Sequence, residues 1–445
     1  MISNQSARVR THMYPSNMNT TSIALDESYL KYAEKASCWA LRNWLYLTLA
    51  CIYLCPSMPG TTLANAYSYV LILLAVFPFI LNSKTRDQAF CSAISLPHIF
   101  LGCGTLASLV SVFLSPLIMS GSDYFQIVRE FSIWVLATGF FGGIYVLNKE
   151  GYRNIIEKAC VVFVFMSGPM TVLQEQVPWF RSLMYEFYWT QAGNVSVGTM
   201  VSRPGLTFGN PNMLGVALAI SLVPILFGKA SATKKNTAIL FALFTILTTA
   251  SRTGLIAFLI LIPFVASRKV LQFSFLLAVT LSGLYIFTYF TSAGNTWSID
   301  FTERYLTAKY FTSFYDRQLI WQEVLNNKLW DTNLVFGLGP DKSNLSITDS
   351  AYVLSLYRYG LVGFLFYSLW IITLCVNPVL KFSPTIAWQQ FTLLVPVSLI
   401  LAVTSFVMSP LACPRLAALF FVIYSYQATK PEKTLFSGPT KAVVP

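Results

Sequence analysis

Between Asn43 and Ser83, and again between Asp87 and Asp123, the chain carries no Asp, Glu, Lys or Arg at all. A spanning helix needs roughly 20 apolar residues, so each stretch is long enough for one long pass or two shorter ones. Charged residues make up only 11% of the 445 residues, against about 25% in an average soluble domain. These runs therefore predict an all-α polytopic membrane protein.

Apolar runs of spanning length fall near 40–56, 62–82, 94–117, 128–147, 155–174, 211–228, 236–250, 253–267, 270–290, 351–376, 386–406 and 410–427. That makes about twelve transmembrane helices. The two shortest, 236–250 and 253–267, could form a tight helical hairpin around "TASRTG". The connections "SKTRD", "NKEGYR", "GKASATKKN", "SRKV" and "VLKFSP" and the tail "KPEK" then share one side, and all are Lys-rich. With both termini on that side, 13 of the 16 Lys lie inside while 8 of the 14 Arg lie outside, as the positive-inside rule requires for Lys. The polar stretch before residue 36 has no signal-peptide core, so the first span is expected to be an uncleaved anchor.

The expected organisation is a cytoplasmic polar tail (1–36) and an N-terminal bundle of about five helices (37–174). An outer loop (175–210), further helices (211–290), a large outer loop (291–350), C-terminal helices (351–428) and a cytoplasmic tail (429–445) follow. Long ordered loops are commonly functional. The first contains "VPWFRSLMYEFYW", whose aromatics suit the headgroup level as an interfacial anchor. In the second, "YDRQLIWQEVLNNKLW" reads as an amphipathic helix. Gln318, Gln322 and Asn326 form a polar stripe, and Arg317, Trp321 and Val324 share another face. "GLGPDKSN" reads as a turn reversing the chain before the span at 351.

The outward preference for Arg has a physical meaning, because a guanidinium binds phosphate oxygens bidentately and is less costly to desolvate than an ammonium. Arg129, Arg181, Arg203, Arg252, Arg304, Arg317, Arg358 and Arg415 all fall on that side. Singly, each is first a snorkelling or paired residue; several at one interface suggest a polyanionic headgroup such as a lipid-linked pyrophosphate. Other chemistries are poorly supplied. No carboxylate cluster, His-rich motif or P-loop is present, so no metal and no cofactor is expected. His98 reads as a packed polar residue, and the eight cysteines as small apolar side chains. Asp349 stands at the threshold of the run from 351, where it could cap a helix, pair with an arginine or act on a hydroxyl.

Three segments carry a family resemblance: "RPGLTFGNPNMLG", "TASRTGLIAF", and "DRQLIWQEVLNNKLWDTNLVFGLGP" followed by "DSAYVLSLYRYGLVGFLFY". In order, spacing and outer location they resemble the O-antigen polymerase and O-antigen ligase superfamily, over roughly residues 195 to 370. The resemblance implies a metal-independent, GT-C-like membrane glycosyltransferase acting on undecaprenyl-diphosphate-linked glycan at the periplasmic face of the bacterial inner membrane. It implies that Arg252, Arg317 and Arg203 hold diphosphate, with Arg304, Arg358 and Tyr352 as further substrate contacts. Ligases of this pattern have a His where this chain has Asp349–Ser350, which favours a Wzy-type polymerase of O-antigen or capsule, with Asp349 as acceptor base. A chain-length regulator is a possible protein partner, the membrane lipid surrounds the chain, and no nucleic acid is expected. The rivals are a ligase joining glycan to lipid A-core or protein, and a flippase or transporter. A transporter would ordinarily show internal repeats and midplane charges.

Overall fold

The structure is a computed structural model that describes residues 20–57, 66–93, 95–114, 121–149, 154–188, 204–228, 230–249, 251–265, 312–328, 333–339, 350–381, 384–408, 411 and 413–429. Within these, side chains are described except at 20–34, 66, 89–93, 121–130, 149, 265, 312–317, 327–328, 377–381, 384–393 and 407. Among the described residues the fold is all-helical, without strands. In chain order the helices are α1 (Thr20–Leu54), α2 (Ala66–Leu81), α3 (Ser83–Ala93), α4 (Leu96–Leu114), α5 (Gly121–Lys149), α6 (Asn154–Gln176) and α7 (Pro178–Tyr188). There follow α8 (Pro211–Leu226), α9 (Ala232–Thr248), α10 (Arg252–Val265), α11 (Thr312–Glu323), α12 (Ala351–Lys381), α13 (Pro384–Val407) and α14 (Pro414–Ala428).

Among the described residues, four segments are long and apolar enough to cross a membrane: Leu96–Leu114, Phe131–Asn148, Asn154–Gln176 and Ala351–Val376. Tyr67–Leu81, Pro211–Leu226, Arg252–Phe264 and Leu394–Phe406 are shorter apolar helices. The run at 270–290 lies outside the described residues. Three boundaries differ from the sequence reading. The first helix begins at Thr20, well inside the polar tail, and the "SKTRD" connection is itself helical in α3. The run expected at 128–147 falls in α5, which begins at Gly121.

Helices that are apolar on every side belong in the middle of a bundle, and α8 and α14 obey this. Every residue from Leu214 to Leu226, and from Pro414 to Gln427, is buried. α14 packs on α5, α8 and α13, while α12 packs chiefly on α4 and α13. The outer surface is the reverse of a soluble protein's: Phe113 is 84% exposed, Ile80 77% and Leu73 69%. Lipid removes any penalty for such exposure but leaves polar groups needing partners inside the bundle. Trp44 Nε1–H donates to the Leu74 carbonyl (2.6 Å), joining α1 to α2. The Tyr53 hydroxyl bonds Ser221 (3.0 Å), joining α1 to α8, and Ser167 bonds Thr245 (3.2 Å), joining α6 to α9. His98 is buried, 2.8 Å from the Ser95 hydroxyl and edge-on to Phe141.

Hydrogen bonds tie the helix ends into two sets. At one end, Tyr188 O–H donates to the Leu54 carbonyl (2.7 Å), Ser57 N–H to that of Phe187 (2.8 Å), and Leu206 N–H to Gln174 Oε1 (3.1 Å). At the other, Asn148 Nδ2 reaches the Tyr426 carbonyl (3.3 Å), and Asn82 Nδ2 the Ser37 hydroxyl (2.7 Å). Arg181 of α7, whose Nε donates to the Gln174 carbonyl (3.1 Å), and Arg415 of α14, whose Nη1 donates to the Thr207 carbonyl, lie at the first end.

Candidate functional site

Two of the resembling segments meet in space. Asn210 caps α8, its Oδ1 accepting from Asn212 N–H (2.8 Å), with Pro211 in the first helical position where its missing N–H costs nothing. Ser251 does the same for α10, its Oγ accepting from Gly254 N–H (2.9 Å). The Ser251 hydroxyl then donates to Asn212 Oδ1 (3.2 Å), joining the two capped ends. Just below, Gly215 and Gly254 face each other so closely that a Cβ on either would lie 2.6 Å from the other's Cα. Small residues at a helix crossing permit this approach. α10 therefore packs more extensively on α8 than on α9, and the hairpin around "TASRTG" is subordinate to the α8–α10 pair. Arg252 is the first residue of α10, half-buried at the mouth of this junction.

The third segment is interrupted. α12 breaks at Gly360 (φ 62°, ψ −162°), nine residues past its start, or about 14 Å along the helix. The stretch Asn333–Gly339 lies against the break. Leu338 N–H donates to the Tyr357 carbonyl (3.1 Å) and Gly339 N–H to that of Arg358 (2.8 Å). Leu361 and Val362 N–H donate in turn to the carbonyls of Leu334 (3.0 Å) and Val335 (3.2 Å). Four helical groups released by the break thus find partners, as a non-helical backbone inside a membrane requires. Ser111 of α4 also donates to the Arg358 carbonyl (2.7 Å). "FGLG" is therefore not merely a turn before the span: it is docked against the middle of it.

Beside the break lies a cavity of about 100 Å³. Thr105, Ser108, Ser355, Arg358, Tyr359 and Tyr367 are among its lining residues. Arg358 is only 1% exposed. Tyr352 is half-buried nearby, its hydroxyl donating to the Ala402 carbonyl (3.2 Å) and its ring 4.6 Å from that of Phe406. At the start of α12 the Ser350 hydroxyl donates to the Ser405 carbonyl (3.4 Å) and stands 3.5 Å from Val353 N–H.

Of the residues that the resemblance assigns to the site, Arg252, Arg358 and Tyr352 are described with their side chains. Arg317 is described only as part of α11, where Gln318 and Gln322 are exposed; in the π-helical turn that follows (Val324–Lys328), Asn326 is exposed and Val324 buried. Asp349, Arg203 and Arg304 lie outside the described residues.

Arg415 escaped the sequence reading except as one outward cation. It is 2% exposed, in the first turn of α14, with its guanidinium between the rings of Tyr67 (4.8 Å) and Tyr188 (5.5 Å). Its Nη1 donates to the Thr207 carbonyl, while Nε and Nη2 are buried with no partner among the described residues. Burial raises the Tyr188 phenol above its ordinary value, Arg415 pulling the other way. "CPRLA" preceding an apolar run is the only signal in sequence, and it looks the same for a snorkelling arginine. Among the described residues no group of three or more His, Cys, Asp or Glu could hold a metal ion.

No protein-family model matches the chain, and no curated protein matches it.

Proposed function

We propose that the chain is a GT-C-like membrane glycosyltransferase of twelve spans. In this reading it polymerises undecaprenyl-diphosphate-linked repeat units of O-antigen or capsule at the periplasmic face of a bacterial inner membrane. The observation that carries the reading is the junction of the two arginine-bearing segments. Asn212–Ser251 and Gly215–Gly254 hold the start of α10 against the start of α8, so Arg252 stands on a rigid mouth. A guanidinium so held is pre-organised for a diphosphate leaving group.

In the proposed reaction the acceptor sugar hydroxyl attacks the anomeric carbon of the donor glycan. The bond from that carbon to the diphosphate oxygen breaks, and the undecaprenyl diphosphate departs with the electron pair. The hydroxyl proton passes to the Asp349 carboxylate. Arg252, Arg317 and Arg203 hold the diphosphate, while Arg304, Arg358 and Tyr352 support the sugars or the second phosphate.

The test is a glycan gel of a deletion strain complemented with wild type, Arg252→Ala or Asp349→Asn, at matched protein level. Single-repeat product in the deletion, a ladder with wild type, and no ladder with either variant is the expected result. A ladder that persists with Arg252→Ala sinks the assignment. Long polymer still attached to its lipid carrier in the deletion strain would make the protein a ligase.

A further inference from the structure

We infer that Arg415 is the phosphate anchor of a lipid-binding site, and that the lipid's single long chain lies in the apolar groove between α1 and α6. Three facts meet at this residue. A cation in the first turn of a helix opposes the helix dipole, whose positive end already stands there. The α14 N-cap, Cys413, makes no side-chain capping bond, so that end is not neutralised locally. Nε and Nη2 of Arg415 are buried without acceptors, an arrangement that is costly unless an anion fills it. Helix N-termini with free N–H groups favour phosphate oxygens, and a guanidinium adds a bidentate fork. The Tyr67 and Tyr188 rings hold that fork flat.

The groove is not lined by Arg415 itself but reaches the residue whose carbonyl Arg415 holds. It has a volume of about 450 Å³ and an almost wholly apolar lining, with Leu49, Val162, Phe163 and Met166 along its length. Thr207, whose carbonyl holds Arg415, also lines it. So do Leu54, whose carbonyl holds Tyr188, and Met184, one turn before Tyr188 on α7. Val162 and Met166 are 61% and 53% exposed on the bundle's outer face, so a chain can enter from the bilayer. One groove between two helices suits one chain. The phosphate-and-chain chemistry stands on this geometry alone; only the choice of a polyprenyl chain rests on the proposed function.

The experiment is native mass spectrometry of the purified full-length protein, titrated with undecaprenyl phosphate, undecaprenol, phosphatidylglycerol or inorganic phosphate. Undecaprenyl phosphate should bind at least tenfold more tightly than each of the other three. Arg415→Gln should remove that advantage while leaving undecaprenol binding unchanged. Val162→Trp, on the lipid-facing side, should weaken phosphate and alcohol alike. Equal affinity for undecaprenol and its phosphate, or unchanged binding by Arg415→Gln, overturns the anchor. Phosphatidylglycerol binding as tightly overturns the single-chain assignment, and inorganic phosphate doing so overturns the groove. Should Arg415→Gln fail to fold, the wild-type comparison of phosphate with alcohol and the Val162→Trp titration decide. None of these readouts depends on glycan transfer, so binding can fail while polymerase activity stands, or the reverse.

Discussion

Replacing Gly360 with Ala should close the break in α12 and release the stretch that fills it. The native φ of 62° with ψ of −162° lies in a region essentially restricted to glycine, and holding another residue there costs about 1–3 kcal/mol. A Cβ at this position would also strike the Val335 carbonyl. A continuous helix, by contrast, gains about 1 kcal/mol from Ala in place of Gly. Closure would re-pair Leu361 N–H with the Tyr357 carbonyl and Val362 N–H with that of Arg358, so two of the four bonds across the break are exchanged rather than lost. The bias toward the closed helix is then about 2–4 kcal/mol, or roughly 30- to 1,000-fold in population. Hydrogen exchange in lipid nanodiscs reads this directly at Leu338 and Gly339, whose amides donate to α12. Their protection should fall by that factor in Gly360→Ala, while Leu361→Ala, on the lipid-facing side, should leave it within about twofold. Unchanged protection in Gly360→Ala would refute the broken helix and the docking of Asn333–Gly339 with it.

Ser251→Ala removes both the α10 cap and the bond to Asn212, and should cost about 0.5–2 kcal/mol, read as a lower Tm in detergent. Combining it with Asn212→Ala should give less than the sum of the two single changes; strict additivity would mean the two side chains do not interact. Gly215→Leu drives a side chain into the α10 backbone and should cost about 3 kcal/mol or more, seen as loss of a monodisperse peak on size exclusion. Tyr188, whose phenol is raised in the folded protein, favours its neutral form there. Stability present below the ordinary phenol value of about 10 should therefore be lost as pH rises through the folded value. Tyr188→Phe should shift the alkaline unfolding midpoint upward, and an unmoved midpoint would assign alkaline unfolding to another group.

Features set by the period or composition of a short window were legible in the sequence. The charge-free runs became apolar helices. The Gln318–Gln322–Asn326 stripe is exposed, but Leu319, Glu323 and Leu325 are exposed as well. The π-helical turn Val324–Lys328 changes the spacing before Asn326, so the expected two-faced helix is not what forms there. The partnership of Asn212 with Ser251 was not legible, although both segments had been singled out. A hydrogen bond across 39 residues of chain leaves no periodic trace. The break at Gly360 was missed for a related reason. Its partners lie some twenty residues upstream, and a glycine in "YRYGLVG" looks the same whether it loosens a helix or opens it. Glycines on both sides of the contact, Gly337 and Gly360, were the usable hint, since a Cβ at either would strike the other's segment.

Arg358 and Arg415 are the two charged side chains buried among the described residues, and both are arginines. Lysine would serve neither position as well. Its compact ammonium is strongly hydrated, and burial drives it toward the neutral form, whereas a guanidinium stays charged and tolerates contact with ring faces. At Arg415 the two flanking tyrosines exploit that tolerance directly. At Arg358 the adjustment is in the backbone: its own carbonyl, freed by the break, is shared between Gly339 N–H and the Ser111 hydroxyl. The glycine that opens the helix is thus two residues from the charge the helix carries into the apolar layer. A side chain beside an open backbone can reach polar partners and a cavity that an unbroken helix would have sealed. Charge, break and cavity occur together because each makes the next less costly to bury.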